Sequence, residues 1–176
     1  MNIPRVYLDN VAASGRVLQD LEPLAEREAM RLIETAHSNG ILKRVTSRES
    51  WREQDRTKDP VKRAALEAAR SDVSVVASDV KLAGFNHFYG PFGQTMVVSP
   101  RTSDIVDEAL FADLKAMGLR DDSDARHLMY AVENKCDRFV TLDPDFLDRR
   151  DALHVRCPTI RIVRPSELAA ELKLCQ

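Results

Sequence analysis

Phe139-Val140-Thr141-Leu142-Asp143 decides the fold class, because it is a short apolar run that closes on an acid. Val6-Tyr7-Leu8-Asp9 has the same arrangement near the N-terminus. Both runs are typical of buried strands, and signals for helices and strands alternate along the chain between them. This alternation predicts an α/β fold with a central, mainly parallel sheet.

Further elements are predicted around these two strands. The helices are expected at about residues 23–39, 46–54, 59–69, 104–117, 123–135, near 146 and from 166. The other strands are expected at about residues 41–45, 73–76, 95–98 and 160–163. Gly40 and Gly118 are expected to end two of the helices. We assign the aromatic run at residues 85–93 to a loop or flap.

Length, charge and cysteine content set broad limits. A chain of 176 residues suits one domain over residues 1–176, with an extended or inserted segment at about 71–103. The net charge of -2 argues against bulk attraction to nucleic acid, although a local basic patch is compatible with it. The sequence shows no signal peptide, no membrane span and no paired-cysteine motif. We therefore expect a cytoplasmic protein with reduced thiols and no membrane partner.

Four acids stand where an α/β protein builds a site. Asp9 and Asp143 close predicted strands, and ligands bind outside the carboxyl ends of such strands. Glu49 and Asp124 lie early in predicted helices. Carboxylates held close together repel unless a cation or a shared proton compensates them. Mg²⁺ or Mn²⁺ is the expected compensator, since both prefer oxygen ligands, and the sequence indicates a metal-dependent enzyme that acts on phosphates.

Two of these acids also have purely local interpretations. Asp9 with Asn10 is a common start of a turn. Glu49 follows Thr46 at the spacing of a capping box, in which the two side chains close the N-terminus of a helix.

The acids around Asp124 have local interpretations too. Asp121 or Asp122 is expected to cap the helix that carries Asp124, and Asp122 is a weaker candidate ligand. His127 lies on the same helix face as Asp124, three residues on. It is either a packed, hydrogen-bonded core residue or a further ligand.

Asp143-Pro144-Asp145 supports more than one interpretation. It is a common turn sequence, and Asp145 is either the N-cap of a short helix or a further ligand. An Asp-x-Asp after a strand is also similar to the site of phosphoryl-transferring aspartate phosphatases. That motif lies late in the chain here and lacks their small and hydroxyl residues, so it has little weight.

The order strand-Asp, helix-Glu, helix-Asp-Ala-x-His and strand-Thr-x-Asp resembles the PIN-domain family, which includes the VapC-type toxin ribonucleases. The matching segments are Val6–Asn10, Thr46–Glu49, Asp124–His127 and Phe139–Asp143. The resemblance extends from residue 5 to about 165. The segment at 71–103 is longer than a minimal member needs, and Val11 stands where a polar residue is frequent in the family.

That resemblance implies a three-layer α/β/α sandwich and hydrolysis of RNA with a divalent metal. It implies that Asp9, Glu49, Asp124 and Asp143 form an acidic quartet that holds Mg²⁺ or Mn²⁺. It also implies a small antitoxin as inhibitor and a homodimer as the working form. The alternative is a non-catalytic PIN-fold module that binds nucleic acid or protein.

Contacts with an RNA substrate are also expected. Arg126 and Arg138 lie near the acids in sequence and are candidates for phosphate contacts, although each also suits a solvated ion pair. The aromatic residues at 85–92 are candidates for stacking on unpaired bases. They equally suit a small separate core or a dimer contact.

Overall fold

The structure, a computed structural model, describes residues 3–9, 24–56, 58, 60, 63, 73–89 and 95–174, without the side chains of 86–89 and 95–99. Its seven strands are β1 (Arg5–Leu8), β2 (Lys43–Thr46), β3 (Ser74–Val75), β4 (Lys81–Tyr89), β5 (Thr95–Ser103), β6 (Arg138–Val140) and β7 (Arg161–Val163). Five of them form a parallel sheet in the order β3-β2-β1-β6-β7. The predicted parallel sheet is therefore confirmed.

The direction of chain travel reverses at the centre of this sheet. The chain passes from β1 outward to β2 and β3, and β6 then returns to the other side of β1. Leu8 of β1 lies beside Val140 of β6 in the parallel register. Such a reversal leaves a crevice outside the carboxyl ends of the two strands. Asp9 and Asp143 follow these two strands.

Helices cover both faces of the sheet. They are α1 (Leu24–Ser38), α2 (Arg48–Asp55), α3 (Glu108–Ala116), α4 (Asp122–Glu133), α5 (Pro144–Leu147), α6 (Arg150–Arg156) and α7 (Pro165–Glu171). Successive strand residues face opposite sides. Val6 and Leu8 pack in a core with α1 and α7, and Tyr7 packs in the second core with α3 and α4. The three-layer α/β/α architecture is thus confirmed.

The glycine stops predicted for two helices are confirmed. Gly40 has φ 71°, and the amide of Ile41 donates back to the Ala36 carbonyl. Gly118 has φ 101°, and the amide of Leu119 donates to Leu114 in the same way. Both ends are Schellman motifs, in which the left-handed residue lets the next amide reach the last turn.

Two predicted helix starts are wrong. Thr46 belongs to β2, so the N-cap of α2 is Ser47 and Thr46 forms no capping box with Glu49. Helix α3 begins at Glu108 instead of residue 104, because the Asp107 side chain accepts from the amide of Leu110 and caps it. The predicted helix at 59–69 falls almost wholly outside the described residues.

The aromatic run is a strand where the structure describes it. Residues 85–89 belong to β4, which pairs in antiparallel fashion with β5, so the predicted loop or flap is wrong there. The predicted strand at 95–98 is confirmed and extends to Ser103. Residues 90–93 of the aromatic run lie outside the described part.

Among the described helices, none has the length and apolar character needed to cross a membrane.

Candidate functional site

Thr141 joins the two acids at the reversal of the sheet. Its hydroxyl donates to Asp9 Oδ2 at 2.7 Å and accepts from the backbone amide of Asp143 at 3.0 Å. The amide of Asp9 donates to the Val140 carbonyl, which continues the pairing of β1 with β6. Asp9 and Thr141 are both buried. One hydroxyl therefore fixes the position of both chain segments that carry the acids.

Asp143 has a second, structural task. Its Oδ1 accepts from the amide of Asp145 at 2.8 Å, and it is the N-cap of α5. Asp143 takes the N-cap position predicted for Asp145, so that prediction is wrong. Pro144 occupies the first turn, where a missing amide costs nothing. The cap holds the Asp143 carboxylate at the carboxyl end of β6.

Asp124 reaches the same place from the first turn of α4. Burial, followed by the negative charges of Asp9 and Asp143, raises the pKa of Asp124 to about 7. Asp121 adds to the rise, and His127 opposes it. A carboxyl group beside two others takes up a proton more readily, because the proton relieves their repulsion. Asp9, Asp124 and Asp143 therefore form one electrostatically coupled acidic cluster.

Glu49 is held differently from these three acids. It is buried near the start of α2, where Arg52 Nη1 lies 3.3 Å from its Oε2 and Arg126 Nη1 lies 4.0 Å from its Oε1. The two guanidinium groups offset its charge. Glu49 is thus flanked by cations, whereas Asp124 is half-buried and feels the negative charges of Asp9 and Asp143.

His127 lies in a buried polar network. Its Nδ1 is 2.7 Å from the Tyr7 hydroxyl, and its Nε2 is 3.2 Å from Glu53 Oε2. The Tyr7 hydroxyl also donates to Ser47 Oγ at 2.8 Å. Burial lowers the pKa of His127, but the hydrogen bond to Glu53 and the charge of Asp9 outweigh burial and raise it. With both ring nitrogens engaged, His127 fits the core interpretation and not that of a ligand.

Two of the weaker candidates point away from the cluster. Asp122 is exposed and pairs with Lys115 Nζ at 2.7 Å, while Asp121 takes the N-cap of α4 as expected. Asp145 is exposed and pairs with Arg149 at 3.0 Å. Because Asp145 turns outward, the structure gives no support to the aspartate-phosphatase interpretation.

The two predicted substrate arginines lie at different ends of the sheet. Arg126 is on α4 beside Glu49, with its guanidinium carbon 5.9 Å from the centroid of the Phe111 ring. Arg138 is the first residue of β6, at the amino end, where its side chain bonds Glu171. Arg126 stays a candidate for phosphate contact. Arg138 does not, because the acids follow the carboxyl end of β6 and Arg138 is at its amino end.

The acidic cluster suits a hard cation by its charge. In the described ranges no three His, Cys, Asp or Glu side chains stand close enough together to hold a metal ion as they are. Burial, and then the negative charges of Asp9 and Asp143, nevertheless raise the pKa of Asp124. Oxygen donors in that condition fit Mg²⁺ or Mn²⁺. The residues that would hold such an ion are Asp9, Asp124 and Asp143.

Two cavities of the described structure lie away from the acidic cluster. The larger one has a volume of about 490 Å³, and its lining includes Arg150, His154 and Arg161 but no member of the acidic cluster. The second, of about 480 Å³, lies between α1 and α7. The acidic cluster is a candidate site because of the sheet topology and its charge, since it lines neither of these two cavities.

The side chains that position the acids were not predicted from the sequence. They are Thr141, Tyr7 and Ser47. Thr141 lies two residues before Asp143, a spacing at which a hydroxyl can accept from a backbone amide, so a local signal existed. The Tyr7–His127 contact spans 120 residues and has no local signal.

No family model matches this chain, and no curated protein or solved structure was found to be similar to it.

Proposed function

We propose that this protein is a divalent-metal-dependent ribonuclease that hydrolyses phosphodiester bonds at the acidic cluster. The observation that carries the proposal is the Thr141 hydroxyl, which links Asp9 to the Asp143 segment at the reversal of the sheet. Helix α4 adds Asp124 to the same cluster. The resemblance of the four acidic motifs to the PIN-domain family supports RNA as the substrate.

The chain's own residues would supply the binding and the orientation. Asp9, Asp124 and Asp143 would hold Mg²⁺ or Mn²⁺, which when bound neutralises the charge on the phosphate and acidifies a water molecule. Thr141 keeps Asp9 in place, and the N-cap keeps Asp143 in place. Hydrogen bonds that hold metal ligands in position in this way are needed for both the metal affinity and the rate of the reaction.

Asp124 has a pKa that lets its protonation state change near neutral pH. Hydrolysis joins a water oxygen to phosphorus, breaks one phosphorus–oxygen ester bond and delivers a proton to the departing oxygen. A group whose pKa is about 7 exchanges protons readily near neutral pH. Asp124 would bind the cation or orient the attacking water in its ionised form, which a nearby positive charge favours.

Glu49 and Arg126 would form the side of the site that faces the phosphate. Glu49 on α2 and Arg126 on α4 face each other at 4.0 Å, with Arg52 as the second cation at Glu49. The Arg126 side chain is long enough to leave Glu49 and bind a phosphate oxygen instead, since guanidinium groups bind both carboxylates and phosphates. Glu49 would then contribute through ordered water.

The test is cleavage of a mixed single-stranded RNA pool by purified protein, with Mn²⁺ and with EDTA. We expect cleavage with Mn²⁺ only, and a loss of at least about 100-fold in Asp124→Asn and Asp143→Asn. Asn at residue 143 can still cap α5, so that variant changes charge more than structure. Asp122→Asn and Asp145→Asn are the matched controls, because both carboxylates are exposed and ion-paired.

Equal cleavage by the site variants and their controls would contradict the proposal. A folded protein that binds RNA and never cleaves it would instead support the non-catalytic PIN-fold module. Copurification of an inhibitory small protein and the molar mass in solution test the antitoxin and the homodimer, which both stay predictions.

A further inference from the structure

Strand β1 and helix α4 each carry a buried polar side chain close to an acid of the cluster. Tyr7 precedes Asp9 by two residues, so both side chains face the same side of the sheet. His127 follows Asp124 by three residues and lies on the same face of α4. Two strand residues span about 7 Å, and one helical turn spans about 5 Å. Tyr7 and His127 are therefore displaced from the two acids by similar distances toward the interior of the fold.

Helix α2 adds a third side chain at this level. Glu53 follows Glu49 by four residues, so the two carboxylates share one helix face. His127 joins the level, because its Nδ1 is 2.7 Å from the Tyr7 hydroxyl and its Nε2 is 3.2 Å from Glu53 Oε2. We call Tyr7, Glu53 and His127 the lower tier. The lower tier connects β1, α2 and α4 beneath the acids that these elements carry.

The hydrogen bonds of the lower tier assign two protons to the ring of His127. Burial raises the pKa of the Tyr7 hydroxyl, which therefore keeps its proton. The hydroxyl donates that proton to Ser47 Oγ at 2.8 Å, so it accepts from His127 Nδ1. An ionised carboxylate only accepts, so Glu53 accepts from Nε2. A histidine ring that donates from both nitrogens is an imidazolium.

The surroundings of His127 favour this charged form. The residue is 1% exposed, and a buried charge requires a partner, which Glu53 provides. Burial lowers the pKa of His127, but the hydrogen bond to Glu53 and the charge of Asp9 outweigh burial and raise it. The charge of Glu49 acts in the same direction, and His127 in turn lowers the pKa of Asp124.

We propose that His127 is a positioning residue of the acidic cluster, a buried imidazolium that fixes α4 and its Asp124 against β1 and α2. It holds an acid in place and is not itself a ligand. Asp124 lies one turn from the two hydrogen bonds of His127, so a shift of α4 that breaks them also moves the carboxylate. The role in the reaction rests on the proposed ribonuclease function, whereas the charge and the contacts of His127 do not.

The charge is tested in the metal-free wild type. Long-range ¹⁵N–¹H correlation spectra of the histidine rings are recorded at pH 8, where ordinary histidines are neutral, and His127→Gln assigns the signals. We expect both ring nitrogens of His127 to be protonated. Glu53→Gln keeps an acceptor and removes the charge, so His127 should lose one ring proton in that variant. Glu108→Gln, which removes an exposed carboxylate paired with Lys81, is the matched control and should leave both protons in place.

The positioning role is tested by the affinity for Mn²⁺ at pH 8, followed by electron paramagnetic resonance. His127→Leu removes both hydrogen bonds together with the positive charge. Loss of a nearby positive charge alone should strengthen the binding of a cation, so weaker binding reports displaced ligands. We expect His127→Leu to bind Mn²⁺ about tenfold more weakly. His127→Gln keeps a donor for Glu53 and should bind at least as tightly as the wild type.

Two further variants complete this test. Tyr7→Phe removes one hydroxyl and no charge, and it should weaken Mn²⁺ binding about threefold, so the test stays decisive if His127→Leu does not fold. His154→Leu removes a histidine of α6 that lines the larger cavity, away from the cluster, and should leave the affinity unchanged. Circular dichroism is recorded for every variant.

The outcomes separate this inference from the proposed function. A neutral His127 ring in the wild type overturns the inference, and so do folded Leu and Phe variants that bind Mn²⁺ as tightly as the wild type, while the proposed function stands in both cases. A wild type that binds no Mn²⁺ overturns both. A wild type that binds Mn²⁺, is weakened by the Leu variant and cleaves no RNA keeps the positioning residue and removes the nuclease.

Discussion

At the scale of the residue, Asp124 connects the charge of the site to the stability of the protein. Its pKa is about 7 in the fold against 3.8 for an ordinary aspartate. Between those two values the folded state binds more protons than the unfolded state, so the free energy of unfolding decreases as pH rises through this window. The stability that protonated Asp124 provides is complete below pH 3.8 and lost above about pH 7.

We therefore expect Asp124→Asn to be more stable than the wild type at pH 8 in EDTA, with a smaller difference at pH 5. Urea unfolding at the two pH values measures it. His127 also has a raised pKa and adds a trend of the same sign in both proteins. A difference that does not change with pH would contradict the coupling of the three acids.

Thr141 offers a second prediction at this scale. Thr141→Val keeps the shape and removes the hydroxyl that serves Asp9 and the amide of Asp143. The loss should cost about 1–3 kcal/mol in the free energy of unfolding, because buried polar groups lose a partner. Cleavage should decrease about 10–100-fold. Thr141→Ser should restore both, and a Val variant as active as Ser would show that the hydroxyl has no role.

At the scale of the element, the two Schellman ends differ in what surrounds their glycine. Gly40 has open space around it, whereas a Cβ at Gly118 would lie 2.7 Å from Arg149 Nε. Gly40→Ala should cost about 1 kcal/mol, which is the usual penalty for the left-handed conformation. Gly118→Ala should cost more, because Arg149 must also leave Asp145. Urea unfolding of the two variants checks the order, and an equal or reversed order contradicts it.

Local signals predicted some elements and failed for others. The glycine stops of α1 and α3 need only the sequence of one turn, and both were predicted. The start of α2 was not, because Thr46 pairs with Val75 in the sheet, and this nonlocal pairing overrides the Thr46–Glu49 spacing. The strand at 85–89 was missed because the Gly90-Pro91-Phe92-Gly93 sequence that follows it resembles a loop. Its partner strand fixes it through a register with two irregularities.

Local signals also predicted some residues of the candidate site and failed for others. Asp9 and Asp143 were predictable because each follows an apolar strand of its own. The Arg52–Asp104 contact, which ties the β4–β5 hairpin to α2, joins residues 52 positions apart. The Tyr7–His127 contact under the site joins residues 120 positions apart. Such contacts follow from the packing of the whole sheet and leave no pattern in either segment.

At the scale of the whole molecule, the hairpin is a separate attachment to a domain with two cores. Lys81 and Ser103 are cross-strand partners, so a two-residue Asn-Gly turn can join them. Replacing residues 82–102 in this way should change the free energy of unfolding by no more than about 1 kcal/mol, since none of the segment's described side chains belongs to either core. A loss of cooperative urea unfolding would show that the hairpin supports the domain.

The central claim is that Asp9, Asp124 and Asp143 form one cation site at the reversal of the sheet. Binding of Mn²⁺ at pH 8, followed by electron paramagnetic resonance, tests it most directly in the wild type, Asp124→Asn and Asp122→Asn. We predict that the wild type and Asp122→Asn bind equally well and that Asp124→Asn binds at least about tenfold more weakly. A wild type that binds no Mn²⁺, or two variants that bind it equally, would contradict the claim.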